Sequence, residues 1–154
     1  MFADRTSFIT TSGEAALAPT TPTIGLLFSS SWCPDCPPLV SRLSLLYEDV
    51  NADEKTFEIV YVSSDKDIAQ FKTYMAAKHP AWLALSFNDP LRNDLKRQFA
   101  TCAGSEAGEL AIADRKRGIP SFIVVKPDGT VVKEDAAEDV MNYDGSGELP
   151  WSSE

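Results

Sequence analysis

The sequence predicts an α/β fold: a mixed central β-sheet with helices on both faces. Three observations carry this. Thr23–Ser29, Phe57–Ser63 and Ser121–Val125 are short apolar runs rich in β-branched and aromatic residues, the pattern of buried strands. A segment of helical period joins the first two, which implies parallel pairing through a right-handed crossover. Asp128-Gly129 follows the third, a hairpin signal that implies an antiparallel edge.

Each element follows in order. The stretch 1–22 is rich in Thr, Ser, Ala and Pro. It reads as an N-terminal extension with one short strand around Ser7–Thr10, the rest being turn and linker. Thr23–Ser29 is the first buried strand. A helix is expected from Pro34 to Val50, since proline suits a first turn and Leu39, Val40, Leu43, Leu46, Tyr47 and Val50 recur at helical spacing. Phe57–Ser63 is the next strand. Asp65 or Asp67 caps a helix ending before Pro80, with Ile68, Phe71, Tyr74 and Met75 on one face. Trp82–Phe87 is a loop or a short strand. Asp89 caps a helix from Pro90 with Leu91, Leu95 and Phe99 inward. Residues 101–116 read as a loop insertion near Pro120, with a helical turn at Leu110–Ala113. Ser121–Val125, a return strand at Thr130–Lys133, a short helix at Asp135–Asn142 and an irregular tail complete a single domain, 1–154.

Composition narrows the function. The 154 residues carry 14 basic and 23 acidic side chains, a net charge of −9. That balance opposes binding to nucleic-acid phosphates or to an anionic membrane surface. No apolar run reaches the ~20 residues of a spanning helix. The first eleven residues lack the charged and apolar regions of a secretory signal. A cytoplasmic monomer is the expectation. Three cysteines do not make a disulfide framework, so the close pair Cys33 and Cys36 points to redox or metal chemistry.

The pair sits where a buried strand ends and a helix begins. Helix-terminal amides and the positive end of the dipole favour an anion there, and the thiolate is the reactive form of cysteine. Cys33, at the exposed start, is the expected nucleophile. Cys36, a turn inward, is the expected resolving thiol. Trp32 flanks the pair as part of a docking surface, with Pro34 and Asp35 between the cysteines. Zinc would need four ligands, and only the scattered Cys102 and His79 could join the pair. Inert thiols would show the same spacing. Ile119-Pro120 precedes a strand; a cis proline facing the pair would leave backbone groups to receive an extended peptide, although few X-Pro bonds are cis. Cys102 reads as a small buried hydrophobe, with an extra redox thiol the alternative. His79 reads as a helix-end residue, and Asp65 as a cap.

The motif Trp32-Cys33-Pro34-Asp35-Cys36, with Phe28–Ser31 before it, Phe57–Asp65, Pro80–Phe87, Gly118-Ile119-Pro120-Ser121 and Leu149-Pro150-Trp151, resembles the thioredoxin superfamily, in its tryparedoxin and nucleoredoxin branch. The resemblance implies a thioredoxin-like fold, a cis Pro120 and dithiol–disulfide exchange. It implies no bound cofactor: electrons come from a low-molecular-weight dithiol or a flavoprotein reductase, and pass to disulfide-containing proteins or small molecules. It also suggests that Asp65 orients a loop near the site.

Three departures matter. Asp35 stands where the branch usually has proline. Its carboxylate disfavours a neighbouring thiolate, or it caps the first-turn amides. The stretch Lys133–Asp139 is acidic where tryparedoxins are basic, which opposes the usual dithiol donor. No carboxylate lies on Ile24–Phe28, where thioredoxins carry a buried relay aspartate. The leading expectation is a thiol–disulfide oxidoreductase acting through Cys33 and Cys36. The alternative is a redox-gated protein-binding module with little turnover.

Overall fold

A computed structural model describes residue 2 and residues 8–17, 21–79 and 81–151. The strands are β1 (Phe8–Thr10), β2 (Gly13–Ala15), β3 (Thr23–Ser29), β4 (Phe57–Ser63), β5 (Leu83–Ala84), β6 (Ser121–Val125) and β7 (Val131–Lys133). They form one sheet in the order β2-β1-β5-β4-β3-β6-β7. The helices are α1 (Cys36–Val50), α2 (Ile68–Lys78), α3 (Pro90–Phe99) and α4 (Ala137–Met141).

β3 pairs parallel with β4 from Thr23–Phe57 to Ser29–Ser63, and antiparallel with β6. The three longest apolar runs thus lie side by side at the centre, where both faces are covered. Successive side chains point to opposite faces. Leu27, Ile59 and Tyr61 enter one core with Leu39, Leu43, Phe71, Met75 and Val140, so α1, α2 and α4 share that face. Ile24, Leu26, Phe28, Val60 and Val62 enter the other with Leu95 and Phe99 of α3. Helices therefore cover both faces of a mixed sheet.

Gly25 is placed by packing. A Cβ there would lie 2.0 Å from the Phe122 ring. That ring fills the space and meets Phe57 and Trp151, so the tail beyond α4 closes the core.

Several expectations need correction. β2 occupies part of the stretch read as turn and linker. With β1 it makes a hairpin on the sheet edge, because β1 pairs with β5. Ser7, the expected start of the first strand, lies outside the described residues, as does Pro80. Helix α1 begins at Cys36, two residues later than read, because residues 34–35 form a turn closed by Cys36 N–H to Cys33 O. Ile68 does not join the inward face of α2; it is 43% exposed at the helix's first residue. The helical turn in residues 101–116 lies at Gly104–Glu106, not at Leu110–Ala113. Among the described residues, no helix is long and apolar enough to cross a membrane.

Candidate active site

The site forms at the ends of the parallel strands β3 and β4, the usual place for ligands in such sheets. The chain leaves β3 at Ser29, turns through Ser31 and Trp32, and enters α1 at Cys36. Cys33 and Cys36 approach to 2.5 Å, and neither is bridged to another cysteine. Cys36 is wholly buried, and Cys33, expected at an exposed helix start, is also buried, retaining only 5% exposure. The Cys33 Sγ lies 3.9 Å from the carbonyl oxygen of Ile119, and the Ile119–Pro120 bond is cis, as the resemblance implied.

The first three residues of α1 are Cys36, Pro37 and Pro38. Two of them have no N–H, so the helix start offers an anion fewer amides than usual. Asp35 stands at the N-cap position, yet its carboxylate makes no capping hydrogen bond. Of its two readings, the cap is the one that fails. Trp32, Pro34 and Asp35 are exposed beside the pair, with Ile119 and Pro120 half-buried.

Behind Cys36 lies a polar cluster. Burial pushes the Cys36 thiol up to about 12; its contact with Cys33 adds to the rise, and the Ser29 hydroxyl and Ser30 backbone oppose it. The hydroxyls of Ser29 and Tyr74 are 3.4 Å apart. Burial also drives the Tyr74 hydroxyl up to about 12, with the Ser29 hydroxyl opposing. Tyr61 donates to the Ser29 carbonyl at 3.2 Å and to Asp65 Oδ2 at 2.8 Å. No carboxylate of β3 belongs to this cluster. Tyr74 had been legible only as an inward-facing residue of α2.

Asp65 is not a cap. Asp67 caps α2, accepting from Gln70 N–H at 2.8 Å. Asp65 is buried and accepts from Ser31 N–H at 2.7 Å and from the Ser63 hydroxyl at 2.7 Å. It therefore orients the loop before Cys33, as the resemblance suggested. The Trp32 indole N–H donates to the Ser64 carbonyl at 2.9 Å. His79 ends α2 as expected. It is buried, accepts from the Trp82 indole at 2.8 Å, and packs on the rings of Tyr61 and Tyr74. Cys102 is fully buried. Among the described residues, no group of three or more His, Cys, Asp or Glu side chains is arranged to hold a metal ion.

Ser31 and Pro37 border a groove of about 780 Å³ between α1 and α2, lined also by Val40, Thr73, Tyr74 and Lys78. On the other flank, the acidic stretch after β7 is not free. Glu134 pairs with Arg117 at 2.9 Å and Lys116 at 3.9 Å, just before Gly118.

Residues 22–131 match the model of a family described as thioredoxin-like. The chain is 30% identical to mouse (Mus musculus) nucleoredoxin over 129 residues, covering 83% of this chain and 26% of that protein. It is 31% identical to the probable nucleoredoxin 1 of Arabidopsis thaliana over 133 residues, 86% of this chain and 20% of that one. It thus spans about a quarter of the length of the curated relatives it matches. Among solved structures it is similar to the tryparedoxin of Trypanosoma brucei, with a TM-score of 0.71, 27% identity, and coverage of 95% and 91% of the two chains. For tryparedoxin II of C. fasciculata the TM-score is 0.72, with 25% identity and coverage of 97% and 90%. With the seven-stranded sheet and a Cys-x-x-Cys pair at the end of its parallel strands, the chain belongs to the thioredoxin-like family of oxidoreductases, with nucleoredoxins and tryparedoxins among its relatives.

Proposed function

We propose that this protein is a thiol–disulfide oxidoreductase that reduces protein or small-molecule disulfides. The observation supporting it most directly is the asymmetry of the pair: Cys33 retains 5% exposure, and Cys36 is wholly buried 2.5 Å away. The Cys33 thiolate attacks one sulfur of the substrate disulfide. A mixed disulfide forms, and the first substrate thiolate leaves and takes a proton. Cys36 then gives up its proton and attacks the Cys33 sulfur. The second substrate thiol departs, and the Cys33–Cys36 disulfide holds the two electrons' worth of oxidation. An external low-molecular-weight dithiol or a flavoprotein reductase restores both thiols.

A Cys36 thiol pushed up to about 12 needs a nearby group to receive its proton as it attacks. The departing substrate thiolate can take that proton, and Ser29 and Tyr74 are the hydroxyls placed beside Cys36 to relay it. Trp32, Pro34, Asp35, Ile119 and Pro120 would form the substrate rim. One similar structure, tryparedoxin II, is complexed with glutathionylspermidine, which supports a small thiol among the partners. The pairing of Glu134 with Arg117 and Lys116 gives this flank a different charge pattern from the basic one expected of that branch. A cytoplasmic monomer remains the expectation for its working state.

The test is reduction of insulin or a model disulfide by chemically reduced protein. Wild type should turn over and Cys33→Ser should not. Full activity in Cys33→Ser sinks the mechanism. Negligible turnover in wild type, joined to partner binding that depends on redox state, would favour a redox-gated binding module instead.

A further inference from the structure

Lys96 is a lysine with no exposed surface. Burying an ammonium is costly unless it is paired and hydrogen-bonded. Its partner is Glu106, at 2.6 Å, from the loop that follows α3. Burial pushes the Lys96 ammonium down, and Glu106 opposes that shift. The second carboxylate oxygen of Glu106 accepts from Ala103 N–H at 3.0 Å and from the Ser64 hydroxyl at 2.6 Å. Ser64 is the residue whose carbonyl receives the Trp32 indole. Its own N–H donates to Ser29 O at 2.8 Å, and Arg92 of α3 donates to the preceding carbonyl of Ser63 at 2.7 Å.

Residues 63–65 are therefore gripped twice. From α3 and its following loop, Arg92 and Glu106 hold Ser63 and Ser64. Towards the cysteines, Ser64 and Asp65 hold Trp32 and Ser31. We propose that the Lys96–Glu106 pair, acting through the Ser64 hydroxyl, positions Trp32 beside Cys33. The loop 101–116 serves as a strut for the docking rim. Lys96, Glu106 and Ser64 are positioning residues; none touches the reacting sulfurs. The effect on turnover rests on the reductase reading, but the effect on Trp32 does not.

The deciding variant is Ser64→Ala. It removes the link to Glu106 yet leaves the Lys96–Glu106 pair intact, so no buried charge is stranded. Trp82 and Trp151 are 0% and 2% exposed, so fluorescence quenchable by acrylamide reports Trp32, with Trp32→Phe as the control. In the reduced protein, Ser64→Ala should raise the quenching constant toward that of free tryptophan. The KM for a peptide disulfide should rise about fivefold, the size expected for one lost hydrogen bond. In a Trp32→Phe background Ser64→Ala should add nothing. Unchanged quenching overturns the strut. A KM effect of the same size without Trp32 overturns it too, since that marks a merely structural role. If wild type reduces no disulfide, the reductase reading fails, and the quenching experiment still decides the strut.

Discussion

Among the described residues, three helices begin on an aspartate, and they use it differently. Asp67 and Asp89 turn their carboxylates onto the first amides of α2 and α3, at 2.8 and 3.0 Å. Asp35 occupies the same position before α1 and caps nothing. The sequences after them explain part of this. α1 opens Cys-Pro-Pro, so few amides are there to be capped. The start of α1 is thus the one of the three left without a side-chain cap, with a carboxylate standing beside Cys36. The lesson is that residue type at a helix start predicts a cap only when donors exist to receive it.

The largest expected effect comes from the first residue of α1. Cys36→Ser should abolish multiple turnover while the protein stays folded, because the change is nearly isosteric. A stable mixed disulfide on Cys33 should then accumulate, visible by intact mass, and would capture donor and substrate alike.

The next effect lies at the far end of α2, where capping has a different cost. Burial lowers the His79 imidazole to about 4 from an ordinary 6.5, with Asp65 opposing. The folded state therefore binds fewer protons than the unfolded chain between those values. Stability is complete above pH ~6.5 and falls as pH drops towards 4, by about 3 kcal/mol in all. Urea unfolding across that window should show the slope, and His79→Gln should flatten it.

Smaller still are the caps. Asp67→Ala and Asp89→Ala should each lose about 1 kcal/mol, read from urea midpoints at constant m. Asp35→Ala should stay within about 0.5 kcal/mol of wild type. Equal losses at all three would erase the comparison. Asp35→Pro, placed in Cys36→Ser, should speed alkylation of Cys33 at neutral pH by about twofold to fivefold, the scale of one charge near a helix start. An unchanged rate would show the carboxylate to be a bystander there as well.

Much of the scaffold was legible residue by residue. The bounds of β3, β4 and β6 follow from predominantly apolar runs, because a central strand is buried on both faces; the one charged residue in them, Glu58, is itself buried and hydrogen-bonded to Tyr47. The starts of α2 and α3 follow from local cap chemistry, with donor and acceptor three or fewer residues apart. The Cys33–Cys36 pair was legible for the same reason, since a two-residue spacer is a local fact.

The supports of that pair were not. Ser31 and Asp65 are 34 residues apart, Trp32 and Ser64 are 32 apart, and Ser64 and Glu106 are 42 apart. Asp65 read as a cap because an aspartate just before a helix is commonly that when only its neighbours are visible. The β1–β2 hairpin was missed because its strand character depends on the edge offered by β5. Local pattern thus settled the central strands, the capped helices and the placement of Cys33 and Cys36. Which carboxylates, hydroxyls and amines surround those sulfurs was settled by topology alone, because hydrogen bonds between distant residues exist only once the strands have set the ends of their loops side by side.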